Sequence, residues 1–142
     1  MSIDKETTEI KAVLEAVRKG LYEKDATAIG AQYASDAIIF DLSPPLGHLL
    51  DVPGLAAWLD TWEGPVKLVE RDLKITVSGD LATCNGLQRV SATKADKQRV
   101  EWWQRITICL TLIDDAWKIA HEHTSVPFHM DGSFRPALDL EP

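Results

Sequence analysis

The chain has 142 residues, 45% hydrophobic and 26% charged, the size and composition of one folded soluble domain. Its formal charge of −7, with 15 Lys and Arg that form no run longer than a pair, argues against a nucleic-acid partner and an anionic membrane surface. The charged start Met1-Ser2-Ile3-Asp4-Lys5-Glu6, the lack of a bilayer-length apolar run, and Cys84 and Cys109 without Cys-x-x-Cys spacing together predict a cytoplasmic protein with no disulfide.

Ile10, Val13, Leu14, Val17 and Leu21 recur at helical spacing, with Asp4 and Glu6 at the favourable end, and predict a first helix. Asp25 is placed to cap a second, short helix from Ala26 to Gln32. Tyr33 leads into an apolar strand through Ile38 and Phe40 that ends in a carboxylate, Asp41, before Leu42-Ser43-Pro44-Pro45. Asp41 either caps that turn or points into a cavity. Asp51 is placed to cap a third helix whose Leu55, Trp58, Leu59 and Trp62 share one face, stopped by Gly64-Pro65.

From Val66 onward the period changes to two, interrupted at Ser78-Gly79-Asp80, at Lys94-Ala95-Asp96-Lys97 and at Asp114-Asp115. Four long antiparallel strands follow: Val66 to Val77, Leu81 to Thr93, Gln98 to Ile113 and Trp117 to Val126. Strands of this length curve, and the preceding helices are the available cover for the concave side, which gives an α+β domain. On the third of these strands Trp102, Ile106, Ile108, Leu110 and Leu112 form the row expected to face the helices. Trp103, Arg105, Thr107, Cys109 and Thr111 form the opposite row, and Trp117, Ile119, His121 and His123 are expected to continue it. Both rows are then buried by sheet-to-sheet homodimerisation.

Several segments in order resemble the nuclear-transport-factor-2-like superfamily, and within it the SnoaL-like proteins and ketosteroid isomerase homologues. They are Tyr33-Ala34-Ser35-Asp36-Ala37, Pro45-Leu46-Gly47, Ser78-Gly79-Asp80, Arg105-Ile106-Thr107, and Asp114 followed by the run Trp117 to Pro127. The last segment is also similar to the association domain of calcium/calmodulin-dependent kinase. The resemblance implies a cone: a curved antiparallel sheet wrapped around the N-terminal helices, with a small-molecule pocket at the open end and a dimer formed through the sheet. The domain is expected over 1–127, and the tail over 128–142, with two prolines and net negative charge, reads as an extended C-terminal arm.

Asp41 resembles the general base of the isomerases. Of their two oxyanion donors, the tyrosine position falls near Val17, with Tyr22 more than a turn away, and the aspartate position near Thr107 or Ile108, so neither is matched. Arg89, nine residues after Asp80, looks like a pocket arginine of the kinase association domain, and Thr124 stands where that domain has another. Alternation sends Ala120, Glu122, Thr124 and Val126 to the concave side together with Asn85, Leu87 and Arg89, with Glu122 or Asp41 to pair the guanidinium. Arg89 and Glu122 read equally as a structural ion pair across strands.

The expected function is therefore a small-molecule pocket with Asp41 doing acid-base work of the isomerase, cyclase or dehydratase kind, requiring no cofactor or metal. Arg89, Glu122, Thr124, Asn85, Trp58, Trp62 and Trp102 are its expected ligand contacts. The alternative is a non-catalytic ligand-binding or assembly module. His121 and His123, two apart on one face, invite a metal reading to which His129 and Asp131 would add ligands, but packing against a partner subunit is preferred. His48 lies near the expected mouth. The arm, with Phe128, Phe134 and Leu138, either tacks to its own body, reaches the other subunit, or closes the pocket.

Overall fold

The computed structural model describes residues 3–142. Helix α1 (Ile3–Glu23) is followed by α2 (Ala26–Gly30), β1 (Tyr33–Phe40), β2 (His48–Leu49) and α3 (Val52–Asp60). The long strands β3 (Lys67–Ser78), β4 (Leu81–Thr93), β5 (Arg99–Ile113) and β6 (Ala116–Ser125) complete the chain's regular structure. Both expected N-caps form: the Asp25 and Asp51 carboxylates accept from the backbone N–H of Ala28 and Gly54, each at 3.0 Å. Helix α3 stops at Asp60, so Trp62 leaves the helical face and bridges to Lys94 instead.

The four long strands pair as antiparallel neighbours, and the sheet is larger than they are. Its order is β2-β1-β6-β5-β4-β3, because β1 adds itself alongside β6 in parallel. The hairpin turns use left-handed residues where the sequence supplies tolerant ones, Gly79 (φ 58°) and the pair Asp114 (50°) and Asp115 (63°). Three irregularities bend the sheet; besides a slip of β1 against β6 between Tyr33 and Ile38, two lie in the hairpin ladders. In β3 the ladder slips between Arg71 and Lys74 around Asp72 (φ 56°), and in β6 it slips beside Ala120. Gly86 of β4 sits against the first of these. A Cβ there would stand 3.0 Å from the Arg71 carbonyl oxygen and 3.1 Å from the Leu73 Cα, so the close approach depends on its missing side chain.

The core is built on the concave side. One cluster joins Ile10, Val13 and Leu14 of α1 to Cys84, Ile106, Ile108, Leu110, Trp117 and Ile119. The other lies under α2 and α3 and gathers Ala26, Ile29, Leu59, Val66, Val90 and Ala92, with Trp62 and Trp102 packed on it. Val17 and Tyr33 touch both. The row Trp102, Ile106, Ile108, Leu110, Leu112 faces the helices as expected. Its neighbour on β6 does not follow the expected phase: the slip at Ala120 turns Trp117 and Ile119 into the core and leaves His121 and His123 on the convex side.

Candidate functional site

Parallel pairing of β1 with β6 sets Ile39 opposite Glu122 and Phe40 opposite His123. Ile39 is buried on the concave side, so Asp41, two residues on, continues that phase just past the strand end. Antiparallel β2 places His48 opposite Ile39, on the same side. The two meet: His48 Nε2 lies 2.8 Å from Asp41 Oδ2. His48 Nδ1 points at the Leu49 carbonyl at 2.7 Å, and the Ser43 hydroxyl donates to Asp41 Oδ1 at 3.1 Å. Both ring nitrogens face acceptors, so both hold hydrogens when the ring is charged. The Asp41 bond first, then the Leu49 carbonyl, raise the His48 pKa above the usual histidine value, against a small opposing effect of burial.

Deeper on the same side, the Tyr33 hydroxyl donates to Glu122 Oε1 at 3.0 Å. Burial holds the Glu122 carboxyl above the ordinary carboxylate range; the Tyr33 bond opposes that, the Asp41 charge adds to it, and His121 opposes it. Burial, and then the charge and hydrogen bond of Glu122, push Tyr33 well above 10. The concave end at the β1–β6 junction thus carries an Asp–His pair at the rim and a Tyr–Glu pair beneath it.

Asp41, Glu122 and Thr124 fall on this side, Thr124 opposite the buried Ile106. Trp102 also faces inward, and its indole N–H donates to Gln104 Oε1 at 3.0 Å, while Gln104 Nε2 donates to Gln88 Oε1 at 3.1 Å. Gln88 and Gln104 are buried, and they form a polar wall that the sequence reading missed. Its signal was present: Gln104 is a polar residue in the apolar row of β5. Trp58 and Trp62 meet edge to face at 5.8 Å on the α3 side, Trp58 partly exposed and Trp62 with its buried indole N–H unpaired.

Arg89, Asn85 and Leu87 require correction. They pair with Trp103, Thr107 and Arg105 on the convex face, while Cys84, Gly86, Gln88 and Val90 point inward. The phase of β4 was misread because its inner positions include a glycine and a glutamine, which hide the apolar row. Arg89 stacks 5.8 Å from the Trp103 ring centre and lies 3.6 Å from Glu101, so it meets neither Asp41 nor Glu122. The hollow expected between Asp41 and Arg89 is therefore absent. Two open grooves, of about 520 Å³ beside Lys24, Val52 and Pro53 and about 440 Å³ beside Arg18, Tyr22 and Leu68, lie on the helical side and include none of the expected site residues.

On the convex face Phe40 packs edge-on against His121 at 4.9 Å and His123 at 5.5 Å, and His121 Nδ1 meets the Ile38 carbonyl at 2.7 Å. His129 pairs instead with Asp139 at 2.9 Å, and Asp131 accepts from the Ser133 N–H. Among the described residues no three His, Cys, Asp or Glu side chains are grouped to hold a metal ion, and no helix is long and apolar enough to cross a membrane.

Residues 10–129 match the SnoaL-like domain family. The chain belongs to that family. The SnoaL-like chain is also similar in structure to a nuclear transport factor 2-like protein of unknown function from Pseudomonas putida KT2440, at 26% identity and a TM-score of 0.84, covering 100% of this chain and 99% of that one. A candidate dehydratase of the same superfamily from Streptomyces avermitilis shares 12% identity at a TM-score of 0.78 over 87% and 97% of the two chains. A candidate calcium/calmodulin-dependent protein kinase II association domain from Xanthomonas campestris shares 16% at 0.70 over 82% and 84%. No curated protein sequence matches the chain. The last two likenesses bear on fold alone.

Proposed function

We propose that this SnoaL-like protein takes up a small, mainly apolar organic molecule at the β1–β6 end of its concave face and moves a proton on it, as an isomerase or lyase does. The observation that carries this reading is the convergence of the Asp41–His48 pair and the Tyr33–Glu122 pair on one side of the sheet. Both nitrogens of His48 are engaged, so the proton acceptor is Asp41, and His48 with Ser43 positions it. Burial raises the pKa of Glu122, whose Oε1 accepts from Tyr33; in its protonated form Glu122 donates its O–H to a carbonyl oxygen on which charge develops. Gln88, Gln104, Trp102 and Thr124 extend the wall that meets the rest of the ligand. The chemistry uses side-chain protons and hydrogen bonds alone. Free cysteines, with burial pushing the Cys84 thiol up to about 11, fit a reducing cytoplasm.

Deuterium wash-in tests it. Cyclic and unsaturated ketones incubated with the protein in D2O exchange the hydrogen beside the carbonyl, and Asp41→Asn slows that exchange by about 10²- to 10⁴-fold with the fold intact. Equal exchange by the two proteins removes Asp41 from the chemistry.

A second reading, a non-catalytic ligand-binding or assembly module, is favoured by the convex face, which carries both the Arg89–Trp103 stack and the cluster of Phe40 with His121 and His123. In either reading we take the chain to act as a homodimer through that face.

A further inference from the structure

Outside this site the convex face of β3, β4 and β5 gathers cations that are scattered in sequence. Lys67, Arg71, Lys74, Arg89, Arg99 and Arg105 share it with one carboxylate, Glu101, and with Asp72 at the edge bulge. Strand pairing has assembled a basic patch on a chain of net charge −7, which the lack of basic runs had concealed. Glu101 is shared, 3.6 Å from Arg89 and 3.9 Å from Arg99, Arg71 lies 3.6 Å from Asp72, and among the described residues the Arg105 side chain meets only the neutral hydroxyl of Ser125.

The segment after β6 has the opposite character. Residues 128–142 carry Asp131, Asp139 and Glu141 against Arg135. They fold back on themselves, His129 N–H donating to the Arg135 carbonyl and Ala137 N–H to the Pro127 carbonyl, each at 2.8 Å. Phe128, Met130 and Phe134 are 60%, 85% and 64% exposed, so their own chain leaves all three uncovered. Large apolar residues grouped on one exposed turn mark a contact surface.

We propose that the basic sheet face is covered by the C-terminal arm, residues 128–142, of a second copy of this chain, the two copies exchanging arms. The inference rests on the homodimer reading and names what lies between the two faces. Bare faces packed directly across a two-fold axis set arginine against arginine; an acidic arm between them supplies the missing carboxylates. The origin of the arm fits, since β6 ends at Ser125, whose hydroxyl is held by Arg105 on that same face. The exposed Ile38, Phe40 and Leu49 of the neighbouring strands offer apolar area to its aromatic residues.

Coupling by a zero-length carbodiimide in an equal mixture of isotopically heavy and light protein is expected to join Lys67 or Lys74 of one copy to Asp139 or Glu141 of the other. Deleting residues 128–142 is expected to raise the dimer dissociation constant at least about 100-fold, read by sedimentation equilibrium with circular dichroism as the check on folding. Should that deletion unfold the protein, the full-length charge swap decides. Arg89→Glu with Arg105→Glu gives a monomer, and adding Asp131→Lys, Asp139→Lys and Glu141→Lys restores the dimer. A folded deletion protein that dimerises as the full chain does, or a swap that stays monomeric, overturns the arm while leaving the homodimer standing. A full-length chain that is monomeric at about 100 µM overturns both. A monomer that binds a labelled single-stranded oligonucleotide through Arg89 and Arg105 overturns the arm too and gives the face to a polyanion.

Discussion

His48 and Glu122 both bind protons more tightly than their types do free in water, for different reasons. In His48 the cause is two acceptors around a cation, and in Glu122 it is burial of a carboxylate. Asp41→Asn is expected to bring the His48 pKa back toward 6.5, read from its ring nitrogens by NMR titration; an unmoved value denies the pairing. For both groups the folded pKa is the higher one. Each contribution to stability is therefore complete below the unfolded value and is lost as pH rises through the folded one. Glu122→Gln is accordingly expected to flatten the fall in denaturation midpoint between about pH 4.5 and the folded Glu122 pKa, while Tyr33→Phe, which removes a bond that favours the ionised form, shifts that fall to higher pH. Asp41 was legible because an acid at the end of an apolar strand stands out in the sequence. Gln104 was not, because a polar residue in an apolar row gives no sign in the sequence of the partners, Trp102 and Gln88, that it bonds. Replacing it by Leu strands the Trp102 N–H and the Gln88 carbonyl, at an expected cost of about 1–3 kcal/mol in chemical denaturation.

Strands obey strict alternation only while their ladders stay in register, and two places in this sheet show the consequence. The inward row of β5 could be read directly from its spacing because no bulge interrupts it against β4. In β6 a single slip beside Ala120 reverses the phase, so Trp117 and Ile119 belong to the core and His121 and His123 do not. Nothing local to Ala120 announces that slip; it follows from how β6 must bend to meet both β5 and β1. The bend in β3 is tied to Gly86, where an added Cβ would stand 3.0 Å from the Arg71 carbonyl oxygen, so that Val there forces the two strands apart. Gly86→Val is expected to cost about 1–3 kcal/mol and to lower the melting temperature, with Gly86→Ala intermediate. An undiminished Gly86→Val protein denies that the contact shapes the sheet.

Across the whole molecule, the order of helices and then long hairpins sufficed to read the α+β architecture, since each hairpin carries its own turn residues and each helix its own cap. What joins the halves was not readable: the parallel contact of β1 with β6 links Tyr33 to Ile119 and Ile39 to Glu122 across most of the chain, and no short-range pattern encodes it. The charge distribution escaped for the same reason, because cations on three strands become neighbours only after pairing. Hydrogen exchange is expected to be slowest in the central pair β6 and β5 and faster in the edge strands β2 and β3, read by mass spectrometry.

The insertion of β1 beside the last strand has a bearing on synthesis. Asp41 is made together with its partners Ser43 and His48 but well before Glu122 and the strand that receives β1, so the two side-chain pairs come together only once β6 has been translated. A nascent chain halted before Ala116 leaves β1 without its parallel partner and Tyr33 without Glu122, so the two pairs stand on one side of the sheet only after β6 has closed the cone.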